Sequence, residues 1–198
     1  MGGHGAAPHG PGRPPHGPDR PPLALQALLS LMRVALESNA AELAREGVRV
    51  KFAGETGRLP LALRAIVAAV ERRTRANRRL LLTVACPYGA RGDIAGAARE
   101  LARSVAAGEL APEDVTEEAL GSRMSTAEAG DVDLLIRTSG ELRLSNFLLW
   151  ESAYAELWFT GRCWPDFTEE ELRDAMDSYA RRDRRFGGRH APPPPPAA

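Results

Sequence analysis

Histidine is missing from the part of the chain that can fold. All four histidines lie in the terminal segments: His4, His9, His16 and His190. Their placement excludes histidine-based triads, histidine general bases and histidine-containing zinc sites from the folded core. The two cysteines, Cys86 and Cys163, are far apart in sequence. We therefore expect neither a disulfide framework nor a cysteine-rich metal site, and we expect a reducing compartment.

Lysine is nearly absent as well, because Lys51 is the only lysine among 26 basic residues. The others are arginines, whose planar guanidinium suits forked binding of carboxylates and phosphates. The 26 acidic residues cancel this charge, so no general attraction to nucleic acid or anionic lipid is expected. The basic run from Arg72 to Arg79 closes a predicted helix without interleaved aromatics, which favours a solvated helix end over a nucleic-acid surface.

Long hydrophobic runs are also lacking, since no stretch approaches the roughly 18 uninterrupted apolar residues of a membrane-spanning helix. Residues 1–22 hold seven prolines, six glycines and no large apolar residue, so we expect a disordered tail there. Residues 190–198 are a proline-rich tail. No secretory signal is recognisable. We expect a cytoplasmic protein whose folded domain covers residues 23–189.

Helical and strand patterns alternate through the middle of the chain. Helices are predicted from Leu25 to Gly47, from Pro60 to about Asn77, before Gly108, from an N-cap at Ser145, and from a capping box at Thr168 to near Phe186. Strands are predicted at 48–52, 80–85, 133–138 and 156–160, with 80–85 covered on both faces. The alternation predicts an α/β fold with a mostly parallel sheet and helices on both faces. Sites in such sheets lie beyond the carboxyl ends of the strands.

The segment after the third strand carries the strongest candidate chemistry. Arg137 lies near the strand end, Arg143 follows a glycine-containing turn, and Ser145 opens the predicted helix, whose free N–H groups would attract anions. Together these groups suit a diphosphate. Glu141 lies between the arginines and would support them by ion pairing, and Asn146 is a second supporting residue. Surface salt bridges with an ordinary N-cap explain the same pattern, and spacing alone does not decide between the two.

Glu156 stands at the start of an apolar strand. An exposed strand-end charge is the commoner role for a lone carboxylate, and spacing alone favours it. The functional alternative is a Mg²⁺ ligand that faces the phosphates.

The residues 133–159, DLLIRTSGELRLSNFLLWESAYAELWF, followed by WPDF and RRDRRFGG, closely resemble the carboxyl-terminal motifs of cis-prenyltransferases. The resemblance implies condensation of isopentenyl diphosphate with an allylic diphosphate in cis geometry, with Mg²⁺ as cofactor. It assigns the isopentenyl diphosphate site to Arg137, Arg143 and Ser145, and Mg²⁺ binding to Glu156. It also implies that Arg185, Gly187 and Gly188 complete the site of the partner subunit in a dimer.

One part of the family pattern has no counterpart. The family begins with a strand and a phosphate-binding loop that carries a metal-ligating aspartate, and residues 1–22 stand in their place, so we expect the first strand to be missing and the catalytic aspartate to be absent. The first hypothesis is a truncated isoprenyl transferase, weak or inactive alone. The second is a non-catalytic partner subunit that joins a full-length synthase as a heterodimer. The resemblance also implies peripheral membrane contact through the lipid product.

Overall fold

The computed structural model describes residues 22–183, and their side chains from residue 27 onward. The helices are α1 (Pro22–Arg45), α2 (Leu61–Thr74), α3 (Ala90–Ala106), α4 (Glu117–Ser122) and α5 (Glu169–Ala180). The strands are β1 (Val48–Ala53), β2 (Leu80–Ala85), β3 (Leu134–Arg137) and β4 (Glu156–Phe159). The predictions for the two tails, and those for Arg185, Gly187 and Gly188, lie outside the described residues.

The strands form parallel pairs, as the alternation of helices and strands predicts. In the first pair Val48 lies opposite Leu80 and Ala53 opposite Ala85. In the second pair Leu134 lies opposite Glu156 and Arg137 opposite Phe159. Within residues 22–183 each pair forms its own two-stranded sheet, without strand pairing between β1–β2 and β3–β4. The candidate residues after β3 therefore lie at the carboxyl end of a parallel pair, where the fold class places sites.

The main core lies between β1 and the first two helices. Alternate residues of β1 point inward, so that Val48, Val50 and Phe52 are each less than a tenth exposed. They pack with apolar residues of α1 and α2: Leu36, Ala40, Leu63, Val67 and Val70. This confirms the strand pattern predicted for residues 48–52 and the helical spacing on either side of it.

Three local predictions are wrong. β2 is not covered on both faces, because Leu80 and Leu82 are 57% and 39% exposed. The last helix ends at Ala180, six residues before Phe186. The helix predicted from Ser145 does not form: residues 145–154 make turns, and the backbone has positive φ at Ser145, Asn146 and Leu148. Such left-handed residues cannot continue a right-handed α-helix.

The short helix α4, which is capped by the Thr116 side chain accepting a bond from the Ala119 N–H, was not predicted. Across the described part of the chain, no helix has the length and apolar character needed to cross a bilayer.

Candidate functional site

The turn after β3 is fastened to the segment after β4. The backbone N–H of Ser139 donates to the Arg162 carbonyl at 2.6 Å, and the N–H of Gly140 donates to the Thr160 carbonyl at 2.9 Å. Ser139 and Gly140 both have φ near +68°. These bonds fix the direction in which the chain leaves Arg137, the last residue of β3.

The arginines of this segment have different surroundings. Arg143 is 65% exposed and forms an ion pair with Glu141, as predicted for Glu141. Arg137 is half-buried, and its Nε is buried without a hydrogen-bond partner among the described residues. A buried unpaired donor costs free energy, so this N–H favours a bound acceptor. Arg143 provides an accessible positive charge, and Arg137 provides an unsatisfied donor.

Ser145 and Asn146 are exposed and stand side by side in a left-handed turn. Ser145 is not a helix N-cap, and the anion-attracting helix tip predicted there is absent. What remains from Ser145 is its hydroxyl, which donates or accepts a hydrogen bond. An anion bound in this segment would therefore be held by guanidinium groups and a hydroxyl, without help from a helix dipole at residue 145.

Asn146 instead reaches the start of α3. Its carbonyl accepts a bond from the Ala90 N–H, and its Oδ1 accepts one from the Arg91 N–H, both at 2.9 Å. The next two N–H groups of α3, from Gly92 and Asp93, point to the Gly89 carbonyl. The first four N–H groups of α3, from Ala90 to Asp93, are thus bonded within the protein and are not open to an anion.

Sequence reasoning missed a network that joins the residue after β1 to α3 through the turn that follows α4. The Gly54 N–H donates to Ser125 Oγ at 2.8 Å, and the Ser125 hydroxyl donates to Asp93 Oδ2 at 2.9 Å. Gly54 has φ +101°, and a Cβ there would meet the Pro87 carbonyl oxygen at 2.1 Å. The only sequence signal was the glycine itself, since the contacts come from residues more than 30 positions away.

Tyr88 packs edge-on against Phe147, with ring centroids 5.9 Å apart. Burial raises the pKa of its hydroxyl above the usual range, and the carboxylates of Glu151 and Asp93 add to the rise. The hydroxyl is therefore protonated at neutral pH. This contact brings the loop after β2 against the segment that carries Ser145.

Glu156 lies at some distance from Arg137. It opens β4 opposite Leu134, while Arg137 is at the other end of the same ladder, a separation of about 10 Å along the strands. Its carboxylate is bound by Arg182, whose Nη1 lies 2.8 Å from Oε2. The described residues hold no cluster of three histidine, cysteine or carboxylate side chains that could bind a metal. Glu156 is thus paired with Arg182 and set apart from Arg137, and its role as a Mg²⁺ ligand stays a prediction.

The known proteins that this chain resembles are prenyl diphosphate synthases and isoprenyl transferases. A family model described as undecaprenyl diphosphate synthase matches residues 18–187. The chain is 50% identical over 163 residues to a ditrans,polycis-undecaprenyl-diphosphate synthase, (2E,6E)-farnesyl-diphosphate specific, from Xanthomonas axonopodis pv. citri, with 82% of this chain and 63% of that protein covered. It is 48% identical over 161 residues to an isoprenyl transferase from Geobacillus kaustophilus, with 81% and 63% covered.

Among solved structures, the crystal structure of lavandulyl diphosphate synthase from Lavandula x intermedia in complex with dimethylallyl diphosphate superposes with a TM-score of 0.83. That match has 35% sequence identity and covers 85% of this chain and 73% of the other. The chain spans less than two thirds, 63%, of the length of the first curated relatives it matches.

Proposed function

Because the chain belongs to the undecaprenyl diphosphate synthase family of cis-prenyltransferases, we propose that it is an isoprenyl transferase for the condensation of isopentenyl diphosphate with an allylic prenyl diphosphate in cis geometry, and that it is weak or inactive alone. The observation that supports this most directly is the segment 137–146 at the carboxyl end of β3. It carries the exposed guanidinium of Arg143, the hydroxyl of the exposed Ser145 and the half-buried Arg137, whose buried Nε is unpaired.

These groups bind and orient the diphosphate of isopentenyl diphosphate. Arg143 contributes two parallel N–H donors, which match the paired oxygens of a phosphate. Glu141 holds Arg143 beside the site until the anion arrives. Ser145 donates its hydroxyl hydrogen to a phosphate oxygen. No histidine is needed, because the allylic partner reacts by losing a diphosphate that is stabilised by positive charge.

The binding of Mg²⁺ by Glu156, which the resemblance implies, stays a prediction. Mg²⁺ is bound in such sites by one or two carboxylates together with phosphate oxygens. Glu156 has the right donor atoms, yet it is engaged by Arg182 and lies at the opposite end of the β3–β4 ladder from Arg137.

Titration calorimetry of the full chain with isopentenyl diphosphate tests the site. Arg143→Ala should abolish measurable binding, while Arg173→Ala serves as the matched control. Arg173 is also an exposed, ion-paired arginine, on α5. Equal effects of the two substitutions would show that only net charge matters and would remove Arg143 from the site.

Chain elongation is a separate measurement. With farnesyl diphosphate, labelled isopentenyl diphosphate and Mg²⁺, we expect the chain alone to incorporate little or no label, because no counterpart of the family's aspartate loop was found in the sequence. Robust incorporation would refute this expectation. Farnesyl diphosphate is chosen because the name of a close relative specifies it.

A partner-subunit role is the second candidate. It is favoured by an apolar groove of about 430 Å³ lined by residues of β3, α5 and the turn before it, including Ile136, Phe167 and Leu172. Trp164 borders the groove and is 70% exposed. Exposed apolar patches of this kind mark protein interaction sites. Co-expression with a full-length synthase followed by light scattering should show a heterodimer that Trp164→Asp disrupts, and its absence would exclude this role.

A further inference from the structure

We propose that Asn146 is a positioning residue, which holds Ser145 and Arg143 in the geometry that binds the diphosphate. This inference rests on the proposed function. It gives Asn146 a role in positioning the residues that bind the diphosphate, whereas Ser145 and Arg143 contact the diphosphate directly. Asn146 bonds to two successive N–H groups of α3 through its carbonyl and its Oδ1, each at 2.9 Å. Those bonds join segments 55 residues apart in the chain.

The bonds between Asn146 and α3 connect the β1–β2 sheet with the β3–β4 sheet, which strand pairing does not connect. Among the described strands, β1 pairs with β2 and β3 pairs with β4, with no ladder between the two sheets. Asn146 belongs to the segment between β3 and β4, and α3 follows β2. The edge-on ring contact of Tyr88 with Phe147 involves the neighbouring residues of the same two segments. The position of Ser145, the next residue back, is thereby set relative to both sheets.

Gly89 shows how closely the two segments approach. A Cβ at Gly89 would lie 2.7 Å from Asn146 Nδ2. The Gly89 backbone itself is extended, with φ −160°, a conformation open to any residue. The space for a side chain at position 89 is therefore limited by the Asn146 side chain and not by the backbone. The amide cannot turn away freely, because its Oδ1 is bonded to the Arg91 N–H.

The residue type is suited to the position. Asn146 has φ +64°, a left-handed conformation that asparagine tolerates better than most side chains. An asparagine also supplies an uncharged acceptor, whereas an aspartate would place a negative charge beside a bound diphosphate. Because Asn146 accepts the bonds of the Ala90 and Arg91 N–H groups, the anion is bound by Arg143, Ser145 and Arg137 and not by α3.

The first test compares two asparagines by titration calorimetry with isopentenyl diphosphate. Asn77 is the control, since its side-chain amide also bonds to backbone of other segments, to the carbonyls of Ala44 in α1 and Val48 in β1. Both Asn146→Ala and Asn77→Ala should lower the melting temperature. Only Asn146→Ala should weaken binding, by about tenfold or more. Equal affinities for the two variants would overturn the proposal.

Asn146→Gly guards against a variant that fails to fold. Glycine accepts positive φ and keeps the carbonyl bond to Ala90, so only the side-chain bond is removed. We expect near-wild-type melting together with weakened binding. Wild-type affinity in a folded Asn146→Gly protein would reduce Asn146 to an ordinary turn residue.

A double-mutant cycle tests the contact itself. Gly89→Ala should weaken binding in the wild type, because its methyl group displaces the Asn146 amide. In the Asn146→Gly background the same substitution should have little further effect, since the clashing atom is gone. Additive losses would contradict a shared mechanism. If the wild-type chain fails to bind isopentenyl diphosphate at all, the proposed function fails, and that result is distinct from all of these outcomes.

Discussion

Arg182 holds the carboxylate of Glu156 at the amino end of β4. Its Nη1 lies 2.8 Å from Oε2 and also donates to the Leu157 carbonyl at 3.0 Å. Both side chains are less than a third exposed, at 28% and 29%. A metal ion that bound Oε2 would have to displace a guanidinium that is bonded in more than one direction.

Replacing Arg182 should therefore expose a metal ligand. We expect Arg182→Gln to bind Mn²⁺ more tightly than the wild type, because the substitution removes a competing cation and frees Glu156 Oε2. The free-Mn²⁺ signal in electron paramagnetic resonance measures the binding. Arg181→Gln is the matched control, an exposed arginine next in sequence with the same change of charge.

The double variant Arg182→Gln with Glu156→Gln should lose the gain. If Arg182→Gln and Arg181→Gln bind Mn²⁺ alike, Glu156 is a structural ion-pair partner, and its predicted role as a metal ligand is wrong.

Thr126 and Glu151 form a buried polar pair, with exposed fractions of 2% and 5%. The Thr126 hydroxyl donates to Glu151 Oε1, and Oε2 has no partner among the described residues. Thr126→Val should lower the free energy of unfolding by about 1–3 kcal/mol, because it leaves a buried carboxyl group without its donor. Urea denaturation measures the change. Thr126→Ser keeps the hydroxyl and should recover most of the loss, and an equal loss in both variants would point to packing instead.

The sequence predicted those features of the fold that depend on interactions between residues close in the chain. The Thr168 and Glu171 capping box forms as expected, with each side chain accepting a bond from the other residue's backbone. β1 shows the predicted alternation because its inward residues meet α1 and α2, which are its neighbours in sequence. In each case the interacting residues lie close in the chain or repeat with the period of the element.

The turn at Ser145 could not be predicted in the same way. Serine before an apolar run is a good N-cap signal, and it competes here with bonds from Asn146 to α3, 55 residues away. Those bonds hold the backbone left-handed and prevent the helix. Glu141 pairs with Arg143 as predicted because the two residues are neighbours in one turn. The pairing of Glu156 with Arg182, 26 residues apart, has no local signal.

Tyr88 should make stability fall at alkaline pH. Burial raises the pKa of its hydroxyl in the folded state, so the unfolded chain loses this proton first, from about pH 10. The folded state then binds more protons than the unfolded state, and stability declines as pH rises through that range. Below pH 10 the residue contributes no such loss.

Tyr88→Phe removes the ionisable group, so its melting temperature should approach or pass that of the wild type as pH rises from about 8 to about 11. Tyr154→Phe, at a position 64% exposed, is the control for the loss of a tyrosine hydroxyl. A constant offset between Tyr88→Phe and the wild type would show that the Tyr88 hydroxyl is not buried in solution.

The exposed leucines of β2 should govern association of the isolated chain. Leu80 and Leu82 are 57% and 39% exposed on one strand, which forms an apolar strip unlike a single surface leucine. Leu82→Lys should reduce light scattering during storage and leave the melting temperature within a few degrees, because the side chain already meets water and lysine discourages edge-to-edge pairing. Leu61→Lys is the control at an isolated position 75% exposed, on the first turn of α2. Equal solubility of the two variants would show that the β2 strip is covered in solution, whereas a selective gain for Leu82→Lys identifies it as the surface through which the chains associate.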